Sequence, residues 1–495
     1  MLGVLDILAL CVALTATIVI GYRSSRRNSD VDSYLLGGRS LPWWAILGSI
    51  VATETSTATV LSVPGIGYGP VGMRFLQLAF GFIIGRTIVV RLLLPLYFEG
   101  RLLTAYEVLD KRFGGLTRKA AALLFLVTRN LGDGLRLFLA GIVLQTMMGW
   151  SFGASILTMG VVTMVYTYFG GLRSVVWNDC MQFVIYMVGG ILSLFIIAGQ
   201  VPGGWTEVFS FANTGDRLRI IETGFAWNST YNIWAGIFGG AVLTIGTHGT
   251  DHMMVQRYLS ARSQRDAGRA IVLSAFVVLF QFALFLFIGV ELACFYSHSP
   301  EITFEKNDQI FAHFIVNSFP RNVGLIGIML AAILSAAMST LSSSLNASAS
   351  SFLSDFYVPF CKTMPTAERQ LAVSKRLTIA FGVLQMAIGY FAINLADTVV
   401  ENALKIAGFS AGLLLGVFLL SVFNKRAGQW AALAGMATGF VILVYVSFYL
   451  KSEDGTSVIA WPWLALIGAS STFLAATAVS VFLGPEGDSA NEHSN

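Results

Sequence analysis

Residues 324–353 read GLIGIMLAAILSAAMSTLSSSLNASASSFL. Leu, Ile, Met and Ala make this stretch apolar enough to sit in lipid, yet Ser335, Ser339, Thr340, Ser342, Ser343, Ser344 and Asn346 interrupt it. Polar atoms at bilayer depth are costly unless they face protein, water or a ligand. Ala336, Ser339, Thr340 and Ser343 fall at i, i+3, i+4 and i+7, which is one face of a helix. Two readings fit. Small and hydroxyl residues tighten helix packing in membranes. Alternatively, the hydroxyls, with the carbonyls that small residues leave open, gather neutral oxygens that hold a monovalent cation weakly enough to release it. The rest of the chain has to decide between them.

Around this helix the composition is that of an all-α integral membrane protein. Hydrophobic residues make up 55% of the 495 and charged ones 12%, with a mean hydropathy of +0.72; soluble domains average about 25% charged residues. The net charge of +4 reflects topology, and no basic patch suggests a nucleic-acid partner. About thirteen segments have the length a bilayer requires: 4–22, 43–66, 73–97, 120–147, 153–170, 176–198, 232–255, 270–296, 322–352, 374–395, 400–423, 429–450 and 459–482. The first has no basic stretch before it and no small-residue cleavage site after it, so it reads as a retained helix, not a signal peptide.

Lys and Arg orient these segments. One set of alternate loops carries Arg23, Arg26, Arg27 and Arg39; Arg101, Lys111, Arg112, Arg118 and Lys119; Arg173; Arg257, Arg262, Arg265 and Arg269; Lys362, Arg369, Lys375 and Arg376; and Lys425 and Arg426. The other carries Arg217, Arg219, Lys306, Arg321 and Lys451. About twenty basic residues against about five make the first set cytoplasmic. The N-terminus is then expected outside and the C-terminus inside, in the plasma (inner) membrane of a multi-pass protein. Cys11, Cys180, Cys294 and Cys361 show no paired spacing, so no disulfide framework or Cys-based metal site is expected. The segment after Leu483 is a short polar cytoplasmic tail, and Asn228-Ser229-Thr230 is a glycosylation sequon in an outer loop.

The second segment, LPWWAILGSIVATETSTATVLSVPG, is almost wholly polar from Thr53 to Thr59, with Glu54 at mid-membrane. It reads either as a Ser/Thr-rich packed helix or as two half-helices around an unwound stretch, which membranes tolerate where it lines a cavity; Pro64 is expected to end it. The seventh, WAGIFGGAVLTIGTHGTDHMMVQRYL, is weakened by Gly239, Gly240, Gly246 and Gly249 and carries Thr244, Thr247 and His248 at depth. It is the second candidate break and comes five segments after the first. Interrupted helices at corresponding places in two halves point to an inverted-repeat transporter. The chain then divides into a first helix and cytoplasmic loop (1–42), a five-helix repeat (43–198), an outer loop (199–231), a second five-helix repeat (232–423), two additional helices (424–483) and the tail (484–495).

Three further features bear on chemistry. Arg129, Asp133 and Arg136 share one face of the fourth segment; they form either a mutually neutralised cluster or a site where one Arg orients a carboxylate or polyhydroxyl solute. Asp179, early in the sixth segment, either caps a helix or supplies the negative charge that the hydroxyl helix lacks. His248 and His252 stand four apart but without the carboxylate pattern of a zinc enzyme.

The stretches YLLGGRSLPWWAILGSIVATETSTATVLSVPG, YTYFGGLRSVVWNDCMQ, MMVQRYLSA and LAAILSAAMSTLSSSLNASASSFLSDFY resemble the sodium:solute symporter family, its bacterial sialic acid, galactose and proline carriers included. The resemblance implies the leucine-transporter-type fold of five plus five inverted helices. It carries the main sodium site onto Ala52, Thr55, Ala336, Ser339 and Thr340, and a second sodium onto Asp179, Ser339, Ser342 and Ser343. In sialic acid carriers the unwound Ser and Thr contact the sugar acid; Ser56 and Thr59 match them. Gln77 lies near a glutamine those carriers use, if a one-residue gap is allowed, and Arg136 is about one turn from their arginine. Glu54 stands where proline carriers have Asp and sugar carriers commonly have no acid. With Thr247 and His248 of the second break, these are the candidate solute residues.

The function implied is sodium-coupled symport of a small polar organic solute (sugar, sugar acid, amino acid or carboxylate) by alternating access. The coupling ion is Na+, no organic cofactor is involved, the surroundings are the lipid bilayer and the unit is a monomer. Two rivals stand beside it. One is a proton-coupled carrier of the same fold using Glu54 or Asp133. The other is a membrane-embedded hydrolase using Ser and His248, which lacks a nucleophile motif such as G-x-S-x-G.

Overall fold

In the computed structural model the described residues are 3–25, 30–100, 102–299, 301–304, 306–395 and 397–483. Arg26, Arg27 and Arg101, used above for orientation, and the tail 484–495 lie outside them. The protein is helical throughout, with no strand among the described residues beyond two isolated bridges. The principal helices are α1 (Val4–Ser25), α2 (Trp43–Glu54), α3 (Thr57–Tyr68), α4 (Gln77–Leu92), α5 (Gly115–Met148), α6 (Phe152–Gln200), α7 (Gly240–Gly249), α8 (His252–Leu259), α9 (Gln264–Ser297), α10 (Leu325–Ser351), α11 (Ala367–Phe391), α12 (Asp397–Phe423), α13 (Gln429–Val444) and α14 (Leu464–Leu483). Among the described residues, eight helical runs are long and apolar enough to cross a membrane, and the bent pair α2 and α3 makes a ninth.

The hydroxyl helix occupies the centre. The apolar window of Leu325–Phe360 is 83% buried, against 22% to 50% for the other seven runs. A helix that is apolar on all sides faces lipid; one whose Ser and Thr oxygens need partners is surrounded by other helices, because lipid offers none.

Both candidate breaks are present. Between α2 and α3 the chain bends by 62°. Thr55 (φ −80°, ψ 104°) and Ser56 (φ −100°, ψ 174°) are extended, and the Thr59 hydroxyl accepts the Ser56 N–H at 3.3 Å. Ser and Thr favour this because their side chains compete for backbone partners and cap a new helix start. Between α7 and α8, Thr250 (φ −133°, ψ −16°) and Asp251 (φ −74°, ψ 120°) leave the helix, and the Asp251 carboxylate accepts the Met253 N–H at 2.8 Å. This is an N-cap at the start of α8.

Three expectations change. Pro64 does not end its segment; α3 continues past it to Tyr68. Proline removes only its own N–H and crowds the preceding turn, leaving later residues free to stay helical. The fifth and sixth segments join directly within α6, folded at Gly171 with φ +57°, a value glycine adopts without strain. Asp179 lies well past that fold, inside a continuous helix, and caps nothing.

Close backbone packing sets α7 against α4. A Cβ at Gly81 would stand 2.7 Å from the Ala241 N of α7 and 2.1 Å from the Gly236 carbonyl in the helical turn just before it, so the glycine is required for the approach.

Candidate cation and solute site

The hydroxyl face of α10 meets the break in the second segment. The Thr340 hydroxyl donates to the Thr53 carbonyl at 3.2 Å and lies 3.4 Å from the Ala336 carbonyl on its own helix. Ala52 and Ala336 are fully buried. The Thr55 hydroxyl donates to the Val51 carbonyl at 2.8 Å, accepts from Tyr186 at 3.1 Å and from Gln281 Nε2 at 2.8 Å. Its side chain is therefore committed, and position 55 can offer only its carbonyl to a ligand. Ser339 donates to Asp179 Oδ1 at 2.6 Å, and Ser342 to the Ser339 carbonyl at 3.1 Å.

Asp179 is the hub of a second cluster. Besides Ser339 it accepts from Ser49 at 2.5 Å, Thr53 at 3.5 Å and Arg257 at 3.2 Å, and neither Asp179 nor Arg257 is exposed. The Arg257 guanidinium also reaches Ser49 (2.8 Å), the Met253 carbonyl (2.7 Å), Thr53 (2.5 Å) and Ser343. Four elements (α2, α6, α8 and α10) thus meet on one buried ion pair. Isolated buried charges are untenable, and here every donor of the pair has an acceptor. In the sequence Arg257 reads only as a topology marker. The signal was present: it falls within the second half-helix, on the same short stretch as His252 and Gln256.

Glu54 closes a third cluster. Both its oxygens lie 2.6 Å from Arg86 Nη2, and the same carboxylate takes His248 Nε2. His248 Nδ1 is 2.8 Å from the Tyr258 hydroxyl, and Arg86 also donates to Ser274. The structure therefore brings the candidates Glu54 and His248 together, with the fully buried Arg86 between α4 and the break. Arg86 does not stand out in the sequence either, as one of three arginines (Arg74, Arg86 and Arg91) in the segment 73–97.

Ser56, Thr57, Asp133, Arg136, Leu137, Ala337, Thr340 and Leu341 line a small cleft beside the break. Arg136 is paired with Asp133 and keeps 41% of its side chain exposed. Asp133 is in turn 3.6 Å from Arg129, and Arg129 pairs with Asp251, the cap of α8. A ladder of alternating charge therefore runs from the cleft to the second break. Two candidates stand elsewhere. Gln77 donates to the Arg74 and Tyr231 carbonyls at 3.0 and 3.2 Å and accepts the Glu222 N–H at 3.0 Å, so its amide ties down the outer loop. Thr247 is half-buried, its hydroxyl 3.5 Å from the Thr244 carbonyl of its own helix.

A sequence model described as the sodium:solute symporter family matches residues 34–439. The chain belongs to the sodium:solute symporter family. It is a sodium-coupled carrier of small solutes in a multi-pass membrane protein, not an enzyme. Among curated relatives, it is 28% identical over 476 residues to the sodium/sialic acid symporter NanT of Aliivibrio fischeri, covering 92% of each chain. It is 27% identical to the sodium/sialic acid symporter SiaT of Proteus mirabilis, over 95% of this chain and 94% of that one. The human sodium/iodide cotransporter is 26% identical over 88% of this chain and 68% of its own. Among solved structures, a substrate-bound outward-open Na+-coupled sialic acid symporter superposes with a TM-score of 0.87 at 26% identity, covering 98% and 99% of the two chains. Mhp1, a nucleobase-cation-symport-1 family transporter, shares the fold at a TM-score of 0.58 and 14% identity.

Proposed function

We propose that the carrier binds Na+ between the break of α2 and α3 and the hydroxyl face of α10. The ligands are the carbonyls of Ala52, Thr55 and Ala336 and the hydroxyls of Ser339 and Thr340. The observation that carries this reading is the Thr340–Thr53 hydrogen bond, which puts a hydroxyl of α10 against a carbonyl at the unwound turn. An ion drawing on those oxygens holds α10 and the broken helix in one arrangement. A second Na+ would use Asp179, Ser339, Ser342 and Ser343, sharing the carboxylate with Arg257.

The solute is a small polar organic molecule, of the sugar, sugar acid, amino acid or carboxylate classes, taken up where the cleft beside Thr340 opens; closed, that cleft holds only about 10 Å3. Ser56 and Thr59 offer hydroxyls, and Arg136 offers a planar fork suited to a carboxylate. Thr247, Glu54 and His248 flank the second break; Gln77 acts at a remove, through the outer loop. Sodium bound first completes the cleft, and the coupling is reciprocal: solute raises the affinity for Na+ by the same factor. Within the five-plus-five inverted repeat (43–198 and 232–423), the helix set around the site then rocks to face the cytoplasm and releases both inside. Each Na+ entering contributes about 2.3 kcal/mol per 100 mV of membrane potential, besides its concentration gradient. The arginine and lysine bias supports an N-terminus outside and a C-terminus inside an inner membrane, with the monomer as the working unit.

The proton-coupled alternative needs Glu54 or Asp133 as its proton site. Both carboxylates are engaged by arginines, Glu54 by Arg86 and Asp133 by Arg136. The test is a thermal-shift screen of small hydrophilic solutes with and without Na+, followed by uptake into proteoliposomes. A solute that stabilises only with Na+ and accumulates on a Na+ gradient supports the proposal; accumulation on a pH gradient in Na+-free buffer refutes it.

A further inference from the structure

We propose that a groove between α4 and α9 binds an anionic glycerophospholipid of the cytoplasmic leaflet. The groove is a broad depression of about 720 Å3, open to its surroundings. Its walls are apolar: Val90 and Leu94 on one side, Leu273 on the other, with Gly268 as its floor. A Cβ at 268 would stand 3.1 Å from Val90 Cγ1, so the missing side chain leaves the notch open. Arg265 and Arg269 stand at its mouth, both exposed. Arg269 is 4.0 Å from Asp266, at the limit of an ion pair, and Arg265 has no ion-pair partner among the described residues. The mouth therefore carries surplus positive charge directly above an apolar slot.

The occupant follows from that juxtaposition. A soluble anion gains nothing from Val90, Leu94 and Leu273, and a neutral lipid gains nothing from two arginines. An anionic phospholipid uses both: an acyl chain along the slot, its phosphate on the guanidinium forks. The leaflet rests on the orientation proposed above, which places the α8–α9 loop in the cytoplasm. Transport is not required for the site to bind, so the two proposals fail separately.

The test uses the purified full-length chain in mixed micelles containing phosphatidylglycerol or phosphatidylcholine, with bound lipid counted by native mass spectrometry. The wild type should retain phosphatidylglycerol in preference to phosphatidylcholine, and inorganic phosphate should not displace it. The double substitution Arg265→Gln with Arg269→Gln should weaken phosphatidylglycerol binding roughly thirtyfold, or about 2 kcal/mol at about 1 kcal/mol per basic residue. Leu273→Trp, which fills the slot and keeps the charge, should also lose the lipid. Arg265→Gln alone removes an exposed, unpaired cation and keeps the test open should the double variant misfold. Equal retention of the two lipids by the wild type, retention unchanged in the variants, or displacement by inorganic phosphate would overturn the proposal.

Discussion

Arg257 Nη2 lies 3.2 Å from Asp179 Oδ2, and neither side chain is exposed. The pair joins the second half of one broken helix to the stretch of α6 beyond its fold, and Arg257 also contacts Ser343 and Thr53, whose hydroxyls are 3.2 Å apart. Because both charges are out of water, removing one leaves the other uncompensated. Asp179→Asn and Arg257→Gln should each cost about 3–5 kcal/mol, seen as a large drop in melting temperature in detergent. The double variant should recover much of that loss. If a second Na+ uses Asp179, Asp179→Asn should also flatten the Hill slope of Na+-dependent uptake. A Hill slope equal to wild type in a folded Asp179→Asn protein would remove the second ion from the mechanism.

Ser339→Ala and Thr340→Ala test the main cation site. Each deletes one oxygen and leaves the helix apolar and small. Hydrogen bonds to charged groups are worth about 1.5–3 kcal/mol, so the Na+ concentration for half-maximal uptake should rise about tenfold or more, with the protein still in the membrane. Thr340→Ser keeps the hydroxyl and should stay near wild type. Na+ titrations of uptake and of thermal stability give the same answer by independent routes; an unchanged half-saturation in both alanine variants removes the assigned ligands.

Arg136 and Asp133 make a competing pair at the cleft. Arg136→Gln should raise the KM for a carboxylate solute, and Arg136→Lys should not restore it, since a point charge does not replace a planar fork. Asp133→Asn frees the guanidinium and should lower the KM for the same solute. Stabilisation by Na+ without solute should be unaltered in Arg136→Gln, which separates solute contact from cation binding. Equal KM values in wild type and Arg136→Gln would show that the solute binds elsewhere.

How much of this was legible beforehand depends on what kind of residue carried it. The breaks were legible because the run from Thr53 to Thr59 and the glycines around Thr247 are conspicuous against apolar neighbours. That Thr340 would meet the first break was implied only by the family resemblance, because hydropathy does not say which segments touch. Arg86 and Arg257 were not legible as partners. Hydropathy treats a lone cation as noise within a segment or as a topology marker at its end. Only the fold shows that Arg86 reaches Glu54 and Arg257 reaches Asp179 from helices far apart in sequence. Gln77 becomes a solute candidate only through the family resemblance with a one-residue gap, whereas its amide bonds the Arg74, Tyr231 and Glu222 backbone. Pro64 misled for a local reason, since the penalty of proline falls on the turn before it and leaves the turn after it intact.

Glu54 and Arg86 offer the sharpest separation between scaffolding and coupling. Glu54 accepts both Arg86 contacts at 2.6 Å, and Arg86 is fully buried. Glu54→Gln leaves that guanidinium without a counter-charge and should destabilise by about 3–5 kcal/mol. Pairing it with Arg86→Met replaces two charges by neutral groups and should restore most of the melting temperature. If Glu54 only holds the break against α4, the double variant should keep Na+-driven uptake with an unchanged pH profile. Were Glu54 the coupling group of a proton-driven carrier, the same double variant would be stable yet lose gradient-driven accumulation altogether. Measuring melting temperature and uptake on one preparation decides between the two, because stability returns in both cases and transport in only one.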